Sequence, residues 1–346
     1  MGKSMAETKG ERPTEIDSVE PDRRKQTIAE RDAAWEPKPY VSGETRVRGE
    51  NSIFDPDFNK PQIQGPSAFI TGWPVWHSRS PMIHGHWLKT HGIAGTYGRQ
   101  GVPPEEFPFF LKKLRDKGFS GGNVTIPHKE AAFRHVDARD AAAEAIGAVN
   151  TLWFENERLI GGNTDAYGFA ANLDERLNGW DSAEYAVVIG AGGAARAVIH
   201  ALIKRGITHV FIVNRTVSRA ENLVRDFGPK VSAHGEEERD DLLKIADLVV
   251  NTAPVPERDP ELPAWFPEKL PDLSMMKRDA MVTDIVYSPL MTPILRAAEK
   301  EGLKHCDGLG MLLHQAVPGF ERWFGKRPEV TGELRKMVLK DLGIEG

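Results

Sequence analysis

Short apolar runs alternate with stretches of helical spacing once the first 65 residues are passed. Residues 67–71 form the first apolar run, and residues 81–90 follow with the spacing of a helix. Tyr97 and Val124 lie in two further predicted strands, separated by a predicted helix over residues 104–118. Strands that alternate with helices along a chain favour an α/β sheet. This part of the chain is therefore predicted to form an α/β domain.

A second alternating series occupies the later part of the chain. Its four predicted strands are residues 185–189, 209–213, 248–251 and 281–285. Helical stretches separate these strands, which is typical of the doubly wound parallel sheet of a Rossmann-type domain. Two further helices, over residues 308–323 and 332–342, are predicted to follow. The predicted fold class is α/β with two domains and a cleft between them.

A glycine-rich turn follows the first strand of this second series. Residues 190–195 read Gly-Ala-Gly-Gly-Ala-Ala, which matches the dinucleotide-binding pattern G-x-G-x-x-A between a strand and a helix. The glycines permit a tight turn and let the backbone approach a pyrophosphate, while the helix N-terminus offers free N–H groups. A purely structural turn can look the same, but the position between strand and helix favours a cofactor. The residues predicted to contact it are Gly190, Ala191, Gly192, Gly193 and Ala194.

The end of the second strand indicates which dinucleotide binds. NAD sites usually carry Asp or Glu there, whereas this chain reads Asn214-Arg215-Thr216, with Arg219 one helical turn further on. Two guanidinium groups and a hydroxyl suit a 2′-phosphate. A solvated basic helix start is the alternative, but cations near a helix N-terminus are mildly unfavourable, which favours a bound anion. NADP is therefore the predicted cofactor.

Three polar phrases between residues 123 and 165 are candidates for the substrate site. They read Asn-Val-Thr-Ile-Pro-His-Lys (123–129), Gly-Ala-Val-Asn-Thr (147–151) and Asn-Thr-Asp (163–165). Each places polar or ionisable groups beside a chain reversal or a helix start, where they can converge on a small polar molecule. Singly, Lys129 could be a solvated charge, Asp165 a helix N-cap and Asn150 a turn residue. Together with the nucleotide signature, the phrases favour hydride transfer to a hydroxylated substrate.

Seven phrases in order along residues 67–325 resemble the shikimate/quinate dehydrogenase family. They are His77-Ser-Arg-Ser-Pro81, the three polar phrases, the glycine turn with Asn214-Arg-Thr216, Val286-Tyr-Ser-Pro289 and Asp307-Gly-Leu-Gly-Met-Leu-Leu-His-Gln315. The resemblance implies NADPH-dependent, reversible reduction of 3-dehydroshikimate to shikimate, in aromatic amino acid (chorismate) biosynthesis. A quinate or dual quinate/shikimate dehydrogenase and a non-catalytic metabolite-binding relative are the alternatives.

The resemblance also implies residue roles. Lys129 and Asp165 would be the catalytic pair. The substrate carboxylate would be met by Ser78, Ser80 and Tyr287, and the ring hydroxyls by Thr125, Asn150 and Gln315. From residues 78–81 alone, helix capping by the two serines before Pro81 is the favoured interpretation. Gly308 and Met311 would add cofactor contacts.

Domain boundaries follow from the same resemblance. Residues 66–166 and 307–346 would form the substrate-binding catalytic domain, and residues 167–306 the NADP-binding domain. Residues 1–65 are a charged, proline-containing leader, and we expect them to be disordered or draped over the folded body. Residues 251–257 depart from the family pattern Asn-Thr-(Thr/Ser)-x-x-Gly-Met, so access to the cofactor could differ there.

Composition adds limits on partners and compartment. The net charge of −5 gives no reason to expect nucleic acid or an anionic membrane as a partner. Cys306 is the only cysteine, which excludes an internal disulfide and fits a reducing cytoplasm. No metal is expected, because His84 and His86 lack further ligands at the usual spacing. We expect a cytoplasmic enzyme for a small molecule, working as a monomer or a homodimer.

Overall fold

The computed structural model describes residues 65–254 and 271–344. The leader, residues 1–65, lies outside the described residues except for its last position. Among the described helices, none is long and apolar enough to cross a membrane.

Six strands of the first half form one mixed sheet. They are β1 (Ser67–Gly72), β2 (Thr96–Gly101), β3 (Phe119–Val124), β4 (Ala138–Arg139), β5 (Thr151–Glu155) and β6 (Arg158–Gly162). The strand order is β2-β1-β3-β5-β6-β4. β1 runs parallel to β2 and β3, whereas β5 runs antiparallel to β3 and β6. The helices of this half are α1 (Ser80–Thr90), α2 (Phe107–Lys113), α3 (Lys129–His135), α4 (Ala141–Ile146) and α5 (Asp165–Arg176).

Six later strands form a second sheet that is parallel throughout. They are β7 (Tyr185–Ile189), β8 (His209–Val213), β9 (Val231–His234), β10 (Leu248–Asn251), β11 (Met281–Asp284) and β12 (Lys304–Cys306). Their order, β12-β11-β10-β7-β8-β9, is the doubly wound Rossmann order. The helices between these strands are α6 (Gly193–Arg205), α7 (Val217–Phe227), α8 (Arg239–Ile245) and α9 (Pro293–Lys300). The predicted α/β fold class with a Rossmann-type sheet is thereby confirmed.

Three closing helices return the described chain to the first sheet. They are α10 (Leu309–His314), α11 (Ala316–Phe324) and α12 (Gly332–Asp341). Phe320 and Trp323 of α11 pack with Trp87 of α1 in one buried cluster. The C-terminal residues therefore complete the core beside the first sheet.

One of the four buried apolar clusters of the described residues joins α5 to the second sheet and its helices. Phe169 and Leu173 of α5 pack in the same buried cluster as Val198 and Leu202 of α6. Because α5 starts at the first sheet and packs on the glycine-turn helix, it sets the distance between the two halves of the candidate site.

Two predicted helices begin at a different residue in the structure, in each case close to a proline. The helix predicted over residues 104–118 is shorter and begins at Phe107, which puts Pro108 in its first turn. The helix predicted over residues 308–323 divides at Gln315, which puts Pro318 in the first turn of α11. Proline lacks the N–H that an inner turn requires, so each helix starts just before its proline. Likewise, Pro127 lies in the turn just before α3.

Candidate active site

An ion pair between two helix starts lies at the centre of the site. Lys129 is the first residue of α3 and Asp165 is the first residue of α5. Lys129 Nζ lies 2.6 Å from Asp165 Oδ2, with side chains 31% and 16% exposed. Asn150 Nδ2 donates to the other oxygen, Asp165 Oδ1, at 2.7 Å. The carboxylate is thus held on both oxygens while the ammonium group stays accessible.

The amide of Asn150 is itself held in one orientation. Its Oδ1 accepts from the backbone N–H of Thr164 at 2.9 Å and from the hydroxyl of Thr151 at 2.7 Å. A backbone N–H can only donate, so the oxygen must face Thr164 and the NH₂ must face Asp165. Asn150 is buried, and Gly147 at the end of α4 has a left-handed φ of +74° that turns the chain toward it.

One cavity contains every residue predicted to bind substrate or to act in catalysis. Its lining includes Ser78, Ser80, Thr125, Lys129, Asn150, Asp165, Tyr287 and Gln315. Gly308 and Met311, predicted as cofactor contacts, line the same cavity. The glycine turn and the residues Asn214 to Arg219 do not line it. The structure therefore brings the substrate-side predictions together and keeps most of the nucleotide-side predictions apart from them.

The two serines line the cavity at the start of α1. The N-cap residue is Arg79, which makes no side-chain cap bond. Ser78 Oγ accepts from the backbone N–H of Ser80, the first residue of the helix, at 3.3 Å, and it also lies 3.3 Å from Ser80 Oγ. Arg99 donates to the backbone carbonyl of Ser78 at 2.7 Å, and Arg79 pairs with Asp341 at 2.8 Å. Sequence reasoning missed Arg99, because nothing in a predicted strand shows that its side chain supports the serine loop.

A buried polar layer lies under the cavity. Tyr97 donates its hydroxyl to Asn123 Oδ1 at 2.6 Å, and Asn123 Nδ2 donates to the carbonyl of Asn150 at 3.2 Å. His84 stacks on Tyr97 with ring centroids 4.0 Å apart. Burial lowers the pKa of His84 to about 3 and raises the pKa of Tyr97 well above its usual range. Both groups therefore stay neutral near pH 7.

The described residues offer no cluster that could hold a metal. No group of three or more His, Cys, Asp or Glu side chains comes together within residues 65–254 and 271–344. His84, part of the rejected His-x-His pattern, is enclosed by aromatic rings.

The glycine turn has the shape that a dinucleotide phosphate requires. Gly190 has a φ of +106°, and a Cβ there would lie 2.7 Å from Thr252 Oγ1. Space around Gly192 and Gly193 is open, and no side chain caps the N-terminus of the 13-residue helix α6. Free backbone N–H groups at such a helix start bind phosphate well. The residues present therefore fit a dinucleotide pyrophosphate.

The residues predicted to select NADP lie at the adjacent helix start. Arg215, Thr216 and Arg219 are exposed around the N-terminus of α7, whose first turn has no acidic residue. Asn214 Nδ2 donates to the carbonyl of Thr216 at 2.8 Å, which shapes the loop. These groups can reach a phosphate that approaches from solvent.

Comparisons with known proteins match both sheets and the closing helices. Residues 70–152 match the shikimate dehydrogenase substrate binding domain, residues 174–257 match shikimate / quinate 5-dehydrogenase, and residues 308–332 match the shikimate 5'-dehydrogenase C-terminal domain. The chain is 57% identical to the NADP(+) shikimate dehydrogenase of Brucella ovis, over 83% of this chain and 99% of the relative. It is 58% identical to the corresponding enzyme of Mesorhizobium japonicum, over 80% of this chain and 96% of the relative.

Solved structures agree with these relatives. Shikimate 5-dehydrogenase of Thermus thermophilus, solved with NADP(H) and shikimate, superposes with a TM-score of 0.67 at 36% identity, covering 80% of this chain and 99% of that one. Quinate dehydrogenase of Corynebacterium glutamicum, solved with NAD, superposes with a TM-score of 0.71 at 30% identity, covering 80% of this chain and 99% of that one. Sequence identity, coverage and fold therefore agree, and the chain belongs to the shikimate dehydrogenase family.

Proposed function

We propose that Lys129 and Asp165 move the proton in the reaction of this enzyme. The chain is an NADP-dependent shikimate dehydrogenase, which reduces 3-dehydroshikimate reversibly to shikimate. The observation that carries the proposal is the ion pair of 2.6 Å inside the cavity that also holds the two serines. A protonated lysine beside a carbonyl oxygen can donate the proton that turns the ketone into a hydroxyl.

The chemistry divides between cofactor and protein. NADPH, when bound, supplies the hydride to the carbonyl carbon. Lys129 Nζ donates its proton to the carbonyl oxygen, so that the ketone gains one hydride and one proton. Asp165 orients the ammonium group and accepts a hydrogen bond from the new hydroxyl. Since Asn150 holds the second carboxylate oxygen at 2.7 Å, the pair is oriented before substrate arrives, which lowers the entropic part of the barrier.

The remaining cavity residues would orient the substrate. Ser78, Ser80 and Tyr287 would hold its carboxylate at one end, and this is supported by the placement of Arg99 behind the serine loop. Thr125, Asn150 and Gln315 would meet the ring hydroxyls. Gln315 Nε2 donates to the carbonyl of Leu312 at 3.1 Å, which leaves its oxygen available as an acceptor.

The cofactor residues would divide into two groups. Residues 190–194 would bind the pyrophosphate, and Gly308 and Met311 would contact the nicotinamide end. Asn214, Arg215, Thr216 and Arg219 would bind the 2′-phosphate. We assign residues 66–166 and 307–346 to the substrate-binding domain and 167–306 to the NADP-binding domain. In support of this, β1 to β6 all lie within residues 66–166, and β7 to β12 all lie within residues 167–306.

We also propose cytoplasmic localisation and a monomeric or homodimeric enzyme. The single cysteine, Cys306, is buried and unpaired, which supports a reducing compartment. Sedimentation of the purified protein at two concentrations would separate the two assembly states.

Quinate is a second candidate substrate, favoured by the 30% identity to a quinate dehydrogenase. The deciding experiment assays purified enzyme with shikimate and quinate, each with NADP⁺ and NAD⁺. The expected result is the highest kcat/KM with shikimate and NADP⁺. Turnover of quinate alone would overturn the substrate assignment, and higher kcat/KM with NAD⁺ would overturn the proposed role of the arginines.

A further inference from the structure

One fully buried carboxylate has no part in the chemistry described above. Asp284 is the last residue of β11, and none of its surface is exposed. Burial raises the pKa of its carboxyl group above the ordinary value. Burying such a group costs free energy unless its oxygens are hydrogen-bonded, so its partners show what it does.

Both oxygens of Asp284 bind loops that leave the second sheet. Asp284 Oδ1 accepts from the backbone N–H of Val286 at 2.9 Å. Asp284 Oδ2 accepts from Asn251 Nδ2 at 3.0 Å. Asn251, the last residue of β10, also bonds Ala253 twice, through its Nδ2 to the carbonyl at 3.1 Å and through its Oδ1 from the N–H at 3.3 Å. One side-chain bridge thus ties the loop after β10 to the loop after β11.

These two loops leave the sheet where a ligand is expected to lie. In open α/β sheets, ligands bind outside the carboxyl ends of the strands. Ile285 and Tyr287, on either side of Val286, line the cavity. Gly308, which lines it too, packs so closely that a Cβ there would overlap the carbonyl oxygen of Ile285. The backbone that Asp284 holds is therefore the backbone that places Tyr287 and supports Gly308.

We propose that Asp284, through its bond with Asn251, is a positioning residue for substrate and cofactor binding. It holds the backbone before Tyr287, which lines the cavity, and it holds Asn251 and Ala253 at the carboxyl end of β10. This inference rests on the proposed function of the cavity. It explains why a carboxylate is retained in a buried position where an apolar side chain would cost less.

The same sheet offers a matched control at its opposite end. Asp247, just before β10, accepts from the backbone N–H of Glu184 at 3.0 Å and of Tyr185 at 2.9 Å, and it pairs with Lys277 at 2.5 Å. It bridges loops as Asp284 does, but none of its partners lines the cavity. A purely structural bridge should affect stability alone.

The experiment exchanges the donor and the acceptor of the hydrogen bond between Asn251 and Asp284. Asp284→Asn places an NH₂ group against the NH₂ of Asn251, whereas the double variant Asp284→Asn with Asn251→Asp restores one donor and one acceptor. We expect Asp284→Asn to raise the KM for shikimate or NADP⁺ about tenfold, since hydrogen bonds to charged groups are the strong ones. The double variant should recover part of that loss, because the carboxylate that replaces Asn251 can accept from position 284 but can no longer donate to the carbonyl of Ala253. Asp247→Asn should lower the urea midpoint and leave both KM values within about twofold, because it affects no ligand contact.

Several results would contradict the positioning role of Asp284 or the proposed function on which it rests. If Asp284→Asn leaves both KM values unchanged, or if the folded double variant recovers stability without recovering KM, the inference is wrong. If Asp284→Asn does not fold, the KM values of the double variant are compared with those of the wild type. Unchanged values would then contradict the inference. If the double variant also fails to fold, Asn251→Ala, at a half-buried position, decides by the same measure. Wild-type protein without shikimate turnover would contradict the proposed function, whereas active wild type with unaffected variants contradicts this inference alone.

Discussion

The substrate side and the nucleotide side of the candidate site are built in different ways. On the substrate side, Lys129, Asp165 and Asn150 bind one another through side chains at 2.6 and 2.7 Å. On the nucleotide side, Arg215 and Arg219 are exposed at the start of α7. The first set is fixed by bonds among its own side chains, and the second lies exposed at a helix start that a phosphate can approach from solvent.

This difference matches the different tasks of the two sides. Proton transfer needs a lysine at one place and in one orientation, so its partners are provided in advance. Cofactor selection needs attraction to a phosphate, which long flexible cations provide after contact. We therefore expect substitutions on the substrate side to reduce kcat, and those on the nucleotide side to raise the KM of one cofactor.

Removal of Lys129 should have the largest effect. Lys129→Ala deletes the proton donor but leaves the serines, Thr125 and Gln315 in the cavity. General acid–base groups typically contribute about 10²–10⁴-fold, so kcat for shikimate oxidation should fall by that factor. The KM for shikimate should change far less. Steady-state assays with NADP⁺ measure both quantities.

Lys89→Ala is the matched control, because Lys89 is exposed on α1 and outside the cavity. It should keep wild-type kcat. A Lys129→Ala variant with full kcat would show that the ion pair serves structure only, and the contrast between the two sides would then fail.

Lowering the pH should reduce the free energy of unfolding through His84, which packs beside the substrate side. We expect this effect to be the second largest. The pKa of this buried side chain lies at about 3, whereas the unfolded side chain titrates near 6.5. The unfolded state therefore binds a proton first as pH falls, and stability is lost below about pH 6.5. At about 1.4 kcal/mol per pH unit, the free energy of unfolding should fall by about 2 kcal/mol between pH 6.5 and 5.

The test compares urea unfolding of wild type and His84→Phe at pH 7 and pH 5. Phenylalanine preserves ring stacking on Tyr97 and Phe320 but cannot take up a proton. Other groups titrate in both proteins, so the difference between the two pH dependences is the measured quantity. Parallel dependences would show that His84 adds no acid sensitivity.

The parallel sheet was the most predictable part of the fold. The bounds of β7, β8 and β10 agree with prediction, because strands covered on both faces appear as continuous apolar runs. The hairpin of β5 and β6 was not predicted. Its turn is Asn156-Glu157, both at positive φ, and it lacks the glycine that usually marks such turns.

The site was predictable where its residues share a motif and unpredictable where they meet only in the fold. Lys129, Asn150 and Asp165 each follow a strand or start a helix, and the structure gathers them into one cavity. Arg99 and Asp284 support the site from a strand and a strand end, and each depends on a partner at least twenty residues away. A single sequence carries no record of such partners. The roles of Arg99 and Asp284 follow only from the hydrogen bonds in the structure.

Substitution of the exposed arginines should have the smallest effect and the clearest selectivity. Arg215→Ala removes one cation from the proposed 2′-phosphate site, and exposure limits its contribution, so the KM for NADPH should rise about five- to tenfold. The KM for NADH, which lacks that phosphate, should stay unchanged. Arg225→Ala, exposed at the other end of α7, is the control and should alter neither. Equal increases for both cofactors would mean that Arg215 supports the loop and does not read the phosphate, and selectivity would then have to come from Arg219 and Thr216.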